Sequence, residues 1–198
     1  MIDKTFASPV EATADIPDGA SVMIGGFGTA GMPDELVDAL IARGVGNLTI
    51  ISNNAGNGET GLAALIRAGC VAKIICSFPR QVDSHHFDAR YRAGEIELEL
   101  VPQGNLAARI HAAGAGLGAI FTPTRRIGER DYVLEYPISA DFALIRAHRG
   151  DRWGNLVYSK TARNFGPIMA MASRTCIAQV SDIVQLGGLD PEAIVTPG

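Results

Sequence analysis

The residues best suited to chemistry lie in short glycine-rich or polar stretches that follow apolar runs. The first is Asp18-Gly-Ala-Ser-Val-Met-Ile-Gly-Gly-Phe-Gly-Thr-Ala-Gly-Met-Pro33. Glycine permits positive φ and close backbone approach, so Gly25, Gly26, Phe27, Gly28, Thr29, Ala30 and Gly31 can offer N–H groups to an anion or a developing oxyanion. Gly26-Phe-Gly-Thr-Ala-Gly31 also fits the dinucleotide fingerprint G-x-G-x-x-G. A dinucleotide site further needs an acid at the end of the second strand, to hold the ribose hydroxyls. That position reads Ser52-Asn53-Asn54, with no carboxylate, which argues against a nucleotide cofactor. The plainer alternative for the loop is a tight turn that packs a helix on a sheet.

Asn53 and Asn54 close a strand. An amide cannot attack as a carboxylate does, but it can donate hydrogen bonds, so the pair reads as pocket donors or as an Asx turn. Gln103 follows a strand and Pro102, just before a helix, and reads as a pocket residue or part of the helix start. Arg80 lies beyond the third strand, and a guanidinium pairs carboxylates bidentately, so it is a candidate selector of dicarboxylate substrates or else a solvated loop residue. Glu59 reads as an acid that opens a helix, favoured there by the dipole. His85 and His86, beside Asp83 and Asp88, mimic metal ligands. Adjacent helical residues point to different faces, so a surface or interface position is expected and no metal is. Arg125, Arg126 and Arg130 suit either phosphates or a charged loop.

The elements that must hold these residues follow from periodicity. Strands are expected at Ser21 to Gly26, Leu48 to Ser52, Val71 to Cys76 and Glu95 to Val101. Helices are expected at Pro33 to Arg43, Thr60 to Ala68, Ser84 to Ala93 and Leu106 to Ala113. Strands then follow in quick succession at Gly118 to Thr122, Tyr132 to Tyr136, Phe142 to Ala147 and Leu156 to Tyr158. A helix over Ala162 to Ser173 and a strand over Thr175 to Val180 complete the chain. Alternating strand and helix implies an α/β fold: an open, mostly parallel sheet flanked by helices, with a small antiparallel portion near 118–160. No linker or repeat divides residues 1–198, so one domain is expected.

Composition narrows the classes. Hydrophobic residues make up 47% of 198, enough for a sizeable core. The formal net charge is −4 and no long basic run occurs, which argues against a nucleic-acid partner. No stretch approaches the ~20 apolar residues of a membrane span. Three cysteines, Cys70, Cys76 and Cys176, fit neither a zinc site nor a redox pair. Cys76 and Cys176 sit in apolar runs and are expected to be buried thiols, which suits a reducing, cytoplasmic location.

The run from Asp18 to Pro33 resembles the A-type signature of family I CoA-transferases: an Asp-Gly pair, three apolar residues, Gly-Gly-Phe, and Gly-x-Pro after a short gap. Ile51-Ser-Asn-Asn-Ala-Gly56, Val101-Pro-Gln-Gly104, Phe121-Thr-Pro-Thr124, Asp141-Phe-Ala-Leu144 and Ala162-Arg-Asn-Phe165 resemble further segments of the A-type subunits. Ser77-Phe-Pro-Arg-Gln81 and Phe165-Gly-Pro-Ile-Met-Ala-Met-Ala172 look most similar to the A-type subunits that act on 3-oxoadipate. The resemblance implies coenzyme A thioesters as substrates, with no permanently bound cofactor. It implies transfer of CoA from succinyl-CoA to a 3-oxoacid, 3-oxoadipate first and acetoacetate or another 3-oxoacid as the alternative, and a B-type partner in an A2B2 assembly; a stand-alone sugar-phosphate isomerase-like α/β protein is the other reading. It also implies that the nucleophilic glutamate lies on that partner, since Asn53-Asn54 stands where the partner would carry it, and so no catalytic residue of this chain. One departure is visible: relatives have a longer glycine-rich excursion before the Tyr-Val-Leu-Glu strand, where only Arg125 to Arg130 intervene here.

Overall fold

A computed structural model of the chain describes residues 2–123, 126 and 128–198. Strands β1 (Ser21–Ile24), β2 (Leu48–Ile51), β3 (Val71–Cys76) and β4 (Glu97–Leu100) alternate with helices α2 (Asp34–Arg43), α3 (Gly61–Arg67) and α4 (His85–Arg92). A short α1 (Pro9–Ala12) precedes them and α5 (Gln103–Gly114) follows. A two-stranded antiparallel ribbon, β5 (Ile120–Thr122) and β6 (Val133–Glu135), comes next. The chain ends with β7 (Ala140–Asp151), β8 (Leu156–Val157), α6 (Gly166–Ala172) and β9 (Ser173–Val184).

The main sheet has seven strands among the described residues. β4, β3, β2, β1, β7 and β9 are successive parallel neighbours, and β8 pairs antiparallel with the end of β7. The expected fold class is observed, and so is the antiparallel portion near 118–160, as the β5–β6 ribbon and β8. β7 lies within that span yet joins the parallel sheet. Its Ala143, Leu144 and Ile145 are wholly buried, flanked by β1 on one side and β9 on the other.

The period-two alternation of a strand sorts the core onto two faces. Val22, Ile24, Ile50, Ile74 and Leu144 face one way, where Leu36, Val37 and Leu40 of α2, Leu62, Leu65 and Ile66 of α3, and Phe87 of α4 cover them. Met23, Ile51, Ala143 and Ile145 face the other way, under Leu106 and Ile110 of α5 and Met169 and Ala172 of α6. Burying each large side chain contributes about 1.5–3 kcal/mol. The sheet order runs outward from β1 in both directions, to β2 on one side and β7 on the other, and such a switch point opens a crevice at the carboxyl ends of the strands.

Three expectations need correction. The helix expected over Ala162 to Ser173 is a 3-10 turn (Lys160–Arg163), a break at Asn164, then α6. The Asn164 side chain bonds Thr161 O, Ala30 O and its neighbour's N–H (Phe165), competing with the helical ladder, and Pro167 sits in α6's first turn. β9 runs well past Val180, because it pairs with β7 along the whole of that strand. Cys76 is buried, and burial pushes its thiol up to about 12. Cys176 is exposed in β9, the outermost strand of the sheet on that side, yet desolvation still pushes its thiol up to about 12.

Candidate functional site

Four strand ends supply the site. After β1, the glycine loop folds into a two-residue hairpin turn: Phe27 N–H donates to Ala30 O at 3.0 Å and Ala30 N–H to Phe27 O at 3.2 Å. Gly28 takes φ +61° at the first central position, which such turns reserve for glycine. Gly31 has φ +79°, and a Cβ there would lie 2.6 Å from Ala162 O. The loop is therefore clamped against the Ala162–Asn164 turn, and Asn164 Nδ2 donates to Ala30 O at 2.8 Å. Among the described residues the N–H groups of Gly28, Thr29 and Gly31 find no partner, whereas those of Gly25, Phe27 and Ala30 are used internally.

After β2, Ser52 is buried and its hydroxyl donates to Ile24 O at 3.0 Å, which fixes the two strand ends together. Asn53 is 3% exposed and Asn54 2%. Asn53 Oδ1 accepts from Gln103 Nε2 at 2.7 Å, and its backbone O accepts from Ser77 N–H and Phe78 N–H. The Asn53 Nδ2 group is left without a partner among the described residues. Asn54 Oδ1 accepts from Gly56 N–H at 2.8 Å, so the Asx turn is real. Its Nδ2, however, is buried with no partner, as is Ser77 Oγ. A buried donor left unmet costs about 1–3 kcal/mol, and native proteins rarely tolerate one without a reason.

Gln103 is the first residue of α5, which starts after Pro102 with no side-chain cap and no acid in its first turn. Its free N–H groups and dipole make that end electropositive beside Asn53. α2, by contrast, carries Asp34 and Glu35 in its first turn, so its dipole is already answered within the chain. Burial holds the Asp34 carboxyl above its ordinary range, against the pull of Arg146.

The structure thus brings Asn53, Asn54 and Gln103 to neighbouring strand ends, with the glycine loop at the end of β1, the strand next to β2. Arg80 is exposed two residues beyond Phe78, and its Nε donates to Asp88 Oδ1 of α4 at 2.7 Å. Arg125 falls outside the described residues. Ser77 and Asn164 were not singled out from sequence. Asn164 carried one signal, its place in Ala162-Arg-Asn-Phe165, while Ser77 was overshadowed by the more conspicuous Arg80. The separation of His85 and His86 onto different faces is overturned: both rings reach Glu59, with Nε2 atoms 3.1 and 3.0 Å from its two oxygens. They sit in the first turn of α4, where Glu59 reaches across from the segment before α3.

Comparison with known proteins gives consistent matches. The family model described as coenzyme A transferase matches residues 6–198. The chain is 64% identical over 210 residues to the A-type subunit of 3-oxoadipate CoA-transferase from Pseudomonas putida, covering all of this chain and 91% of the relative. It is 44% identical over 208 residues to the A-type subunit of succinyl-CoA:3-ketoacid coenzyme A transferase from Xanthomonas campestris pv. campestris, covering 98% and 85%. Among solved structures, glutaconate coenzyme A-transferase from Acidaminococcus fermentans superposes with a TM-score of 0.81 at 19% identity, covering 96% of this chain and 71% of that one, a likeness of fold.

Proposed function

Since the chain belongs to the coenzyme A transferase family, as the match over residues 6–198 and the 64% identity establish, we propose that it is the nucleophile-free half of a split active site. Its enzyme role is that of an A-type CoA-transferase subunit. In this reading residues 1–198 act as one domain and form an A2B2 assembly with a B-type partner. The pair moves CoA from succinyl-CoA to a 3-oxoacid, 3-oxoadipate above all. The observation that carries the proposal is the amide cluster at the strand ends: Asn53 bonded to Gln103, with the Nδ2 donors of Asn53 and Asn54 unmet where a nucleophile would otherwise stand.

The chemistry follows from those donors. A partner glutamate attacks the thioester carbonyl, and the C–S bond breaks to give an acyl–glutamyl anhydride and CoA thiolate. The thiolate attacks the glutamyl carbonyl, releasing the first carboxylate and leaving a glutamyl-CoA thioester. The acceptor carboxylate runs the same steps in reverse. Each addition places negative charge on a carbonyl oxygen. Donors aimed at that oxygen are worth roughly 10²–10³-fold each, and Asn53 Nδ2 with the free glycine-loop N–H groups are the ones this chain supplies. Gln103 fixes which end of the Asn53 amide faces the substrate.

Arg80 is proposed to meet the distal carboxylate of a dicarboxylic substrate by exchanging its present partner, Asp88. The 44% identity to a succinyl-CoA:3-ketoacid enzyme favours a second reading, in which the acceptor is acetoacetate or another 3-oxoacid. The test is an assay of CoA transfer from succinyl-CoA to 3-oxoadipate and to acetoacetate, with the chain alone and with its coexpressed partner. Activity only from the pair, higher with 3-oxoadipate, is expected. Activity from the chain alone would overturn the split site.

A further inference from the structure

Three ligating side chains converge on the outer side of the loops that follow β2 and β3. Glu59 precedes α3, and His85 and His86 open α4. His85 Nε2 is 3.1 Å from Glu59 Oε1, and His86 Nε2 is 3.0 Å from Glu59 Oε2. One ligand atom from each residue lies within 4.8 Å of the others. Two imidazoles and a carboxylate are the donor set that zinc uses where it keeps an open position, with bonds of ~2.0–2.2 Å. Donor atoms around such an ion are separated by about 3.0–3.4 Å, the spacing that each histidine already keeps from Glu59.

A second observation concerns the other side of the His85 ring. Its Nδ1 lies 2.8 Å from Asp83 Oδ1. The same ring thus lies between two carboxylates, Asp83 at Nδ1 and Glu59 at Nε2. A carboxylate behind a ligating histidine is also the arrangement that orients such rings in metal sites and raises their basicity. The frame is held independently of any ion: Asp83 N–H donates to Asn57 Oδ1 at 2.9 Å, and Gly58 N–H donates to Asp83 O at 2.7 Å. The segment that carries Glu59 is thus already tied to the one that carries the histidines. Glu59 also pairs with Arg67, but each carboxylate oxygen has a second lone pair to offer. Glu59 and His85 are exposed and His86 half-buried, which leaves room for water to complete the coordination.

We propose that Glu59, His85 and His86 form a binding site for a late first-row divalent cation, Zn²⁺ foremost, with Asp83 orienting His85. Such an ion would lock the loop after Asn53–Asn54 to the start of α4. The test uses the full chain, freed of metal with a chelator and titrated with Zn²⁺ against a chromophoric competitor, with Co²⁺ as a spectroscopic stand-in. One equivalent is expected to bind, and Co²⁺ should give visible bands of low-coordinate nitrogen–oxygen ligation. His85→Ala and His86→Ala should each weaken binding more than about tenfold, and Asp83→Asn by about tenfold. Glu59→Gln keeps the side chain's shape and guards against a folding defect; it too should weaken binding more than about tenfold. Circular dichroism should match the wild type in every variant. Failure of the wild type to bind, or equal affinity in the wild type and Glu59→Gln, overturns the proposal.

Discussion

Gln103 Nε2 donates to Asn53 Oδ1 at 2.7 Å across fifty residues of chain, joining the end of β2 to the first turn of α5. The bond decides the orientation of the Asn53 amide: its oxygen is taken, and its NH2 group is the end left to offer. Gln103→Glu replaces the donor with an acceptor. Asn53 must then turn its NH2 toward Glu, presenting a carbonyl where a donor stood. We expect kcat of the assembled enzyme to fall roughly 10²–10³-fold with little change in melting temperature. Gln103→Ala leaves Asn53 unoriented but still able to donate, so a smaller loss is expected. Steady-state kinetics of both variants checks the order. Equal losses would remove the orienting role.

The glycine loop separates strain from contact. At Gly31 a Cβ would meet Ala162 O at 2.6 Å with φ +79°, whereas at Gly28 nothing lies within 4 Å and only the φ of +61° is at stake. Gly31→Ala should therefore cost about 3 kcal/mol or more and push the loop off the Ala162–Asn164 turn. Gly28→Ala should cost about 1 kcal/mol. Urea unfolding of the two variants gives the comparison, and a reversed order would contradict the observed clamp.

β1 and β7 are tied at their starts by Asp141, whose Oδ2 accepts from Ser21 Oγ at 2.6 Å and from Ser21 N–H at 3.0 Å. These bonds hold the carboxyl below its ordinary value of 3.8. A depressed folded pKa adds stability that is complete above pH ~4 and is lost as pH falls through the folded value. Ser21→Ala should cost about 1.5 kcal/mol near neutrality, typical of a hydrogen bond to a charged group. The gap from wild type should narrow in melts below about pH 4. A gap that stays constant down to about pH 2 would mean the charge contributes nothing.

The Arg80–Asp88 pair frames a test of substrate choice. Arg80→Ala should lower kcat/KM for 3-oxoadipate by at least about tenfold, the scale of one charge-assisted pair, and leave acetoacetate little changed. Asp88→Asn frees the guanidinium and should not reduce kcat/KM for 3-oxoadipate. Equal losses for both acceptors in Arg80→Ala would discard the idea.

Periodicity and glycine placement were enough to read the alternation of β1 to α5 and its parallel sheet, since each is a local signal repeated along the chain. Strand order was not readable, because pairing of β1 with β7 joins residues 120 apart that share no local pattern. The start at Ser8-Pro-Val-Glu11 did hold a signal that went unused: Ser8 Oγ accepts from Glu11 N–H as an N-cap opening α1, and Glu11 Oε2 reaches back to Ala7 N–H, one residue beyond the capping-box position. In the site, Asn53, Asn54 and Gln103 were legible as polar residues at strand ends. The bond between Asn53 and Gln103, the clamp by Asn164 and the meeting of Glu59 with two histidines were not. Each depends on which side chain a fold brings across from another element, and helix-face rules say nothing about a residue that approaches the first turn from outside.

The covalent intermediate is expected to form on the B-type partner and not on this chain. The pair, incubated with succinyl-CoA and no acceptor, should stall at the proposed glutamyl-CoA thioester, which borohydride would reduce to a mass-shifted residue. Intact and peptide mass analysis of both polypeptides should then show a single modified glutamate on the partner and leave the present chain unmodified. A modified residue on this chain, at Glu59 or elsewhere, would contradict the account.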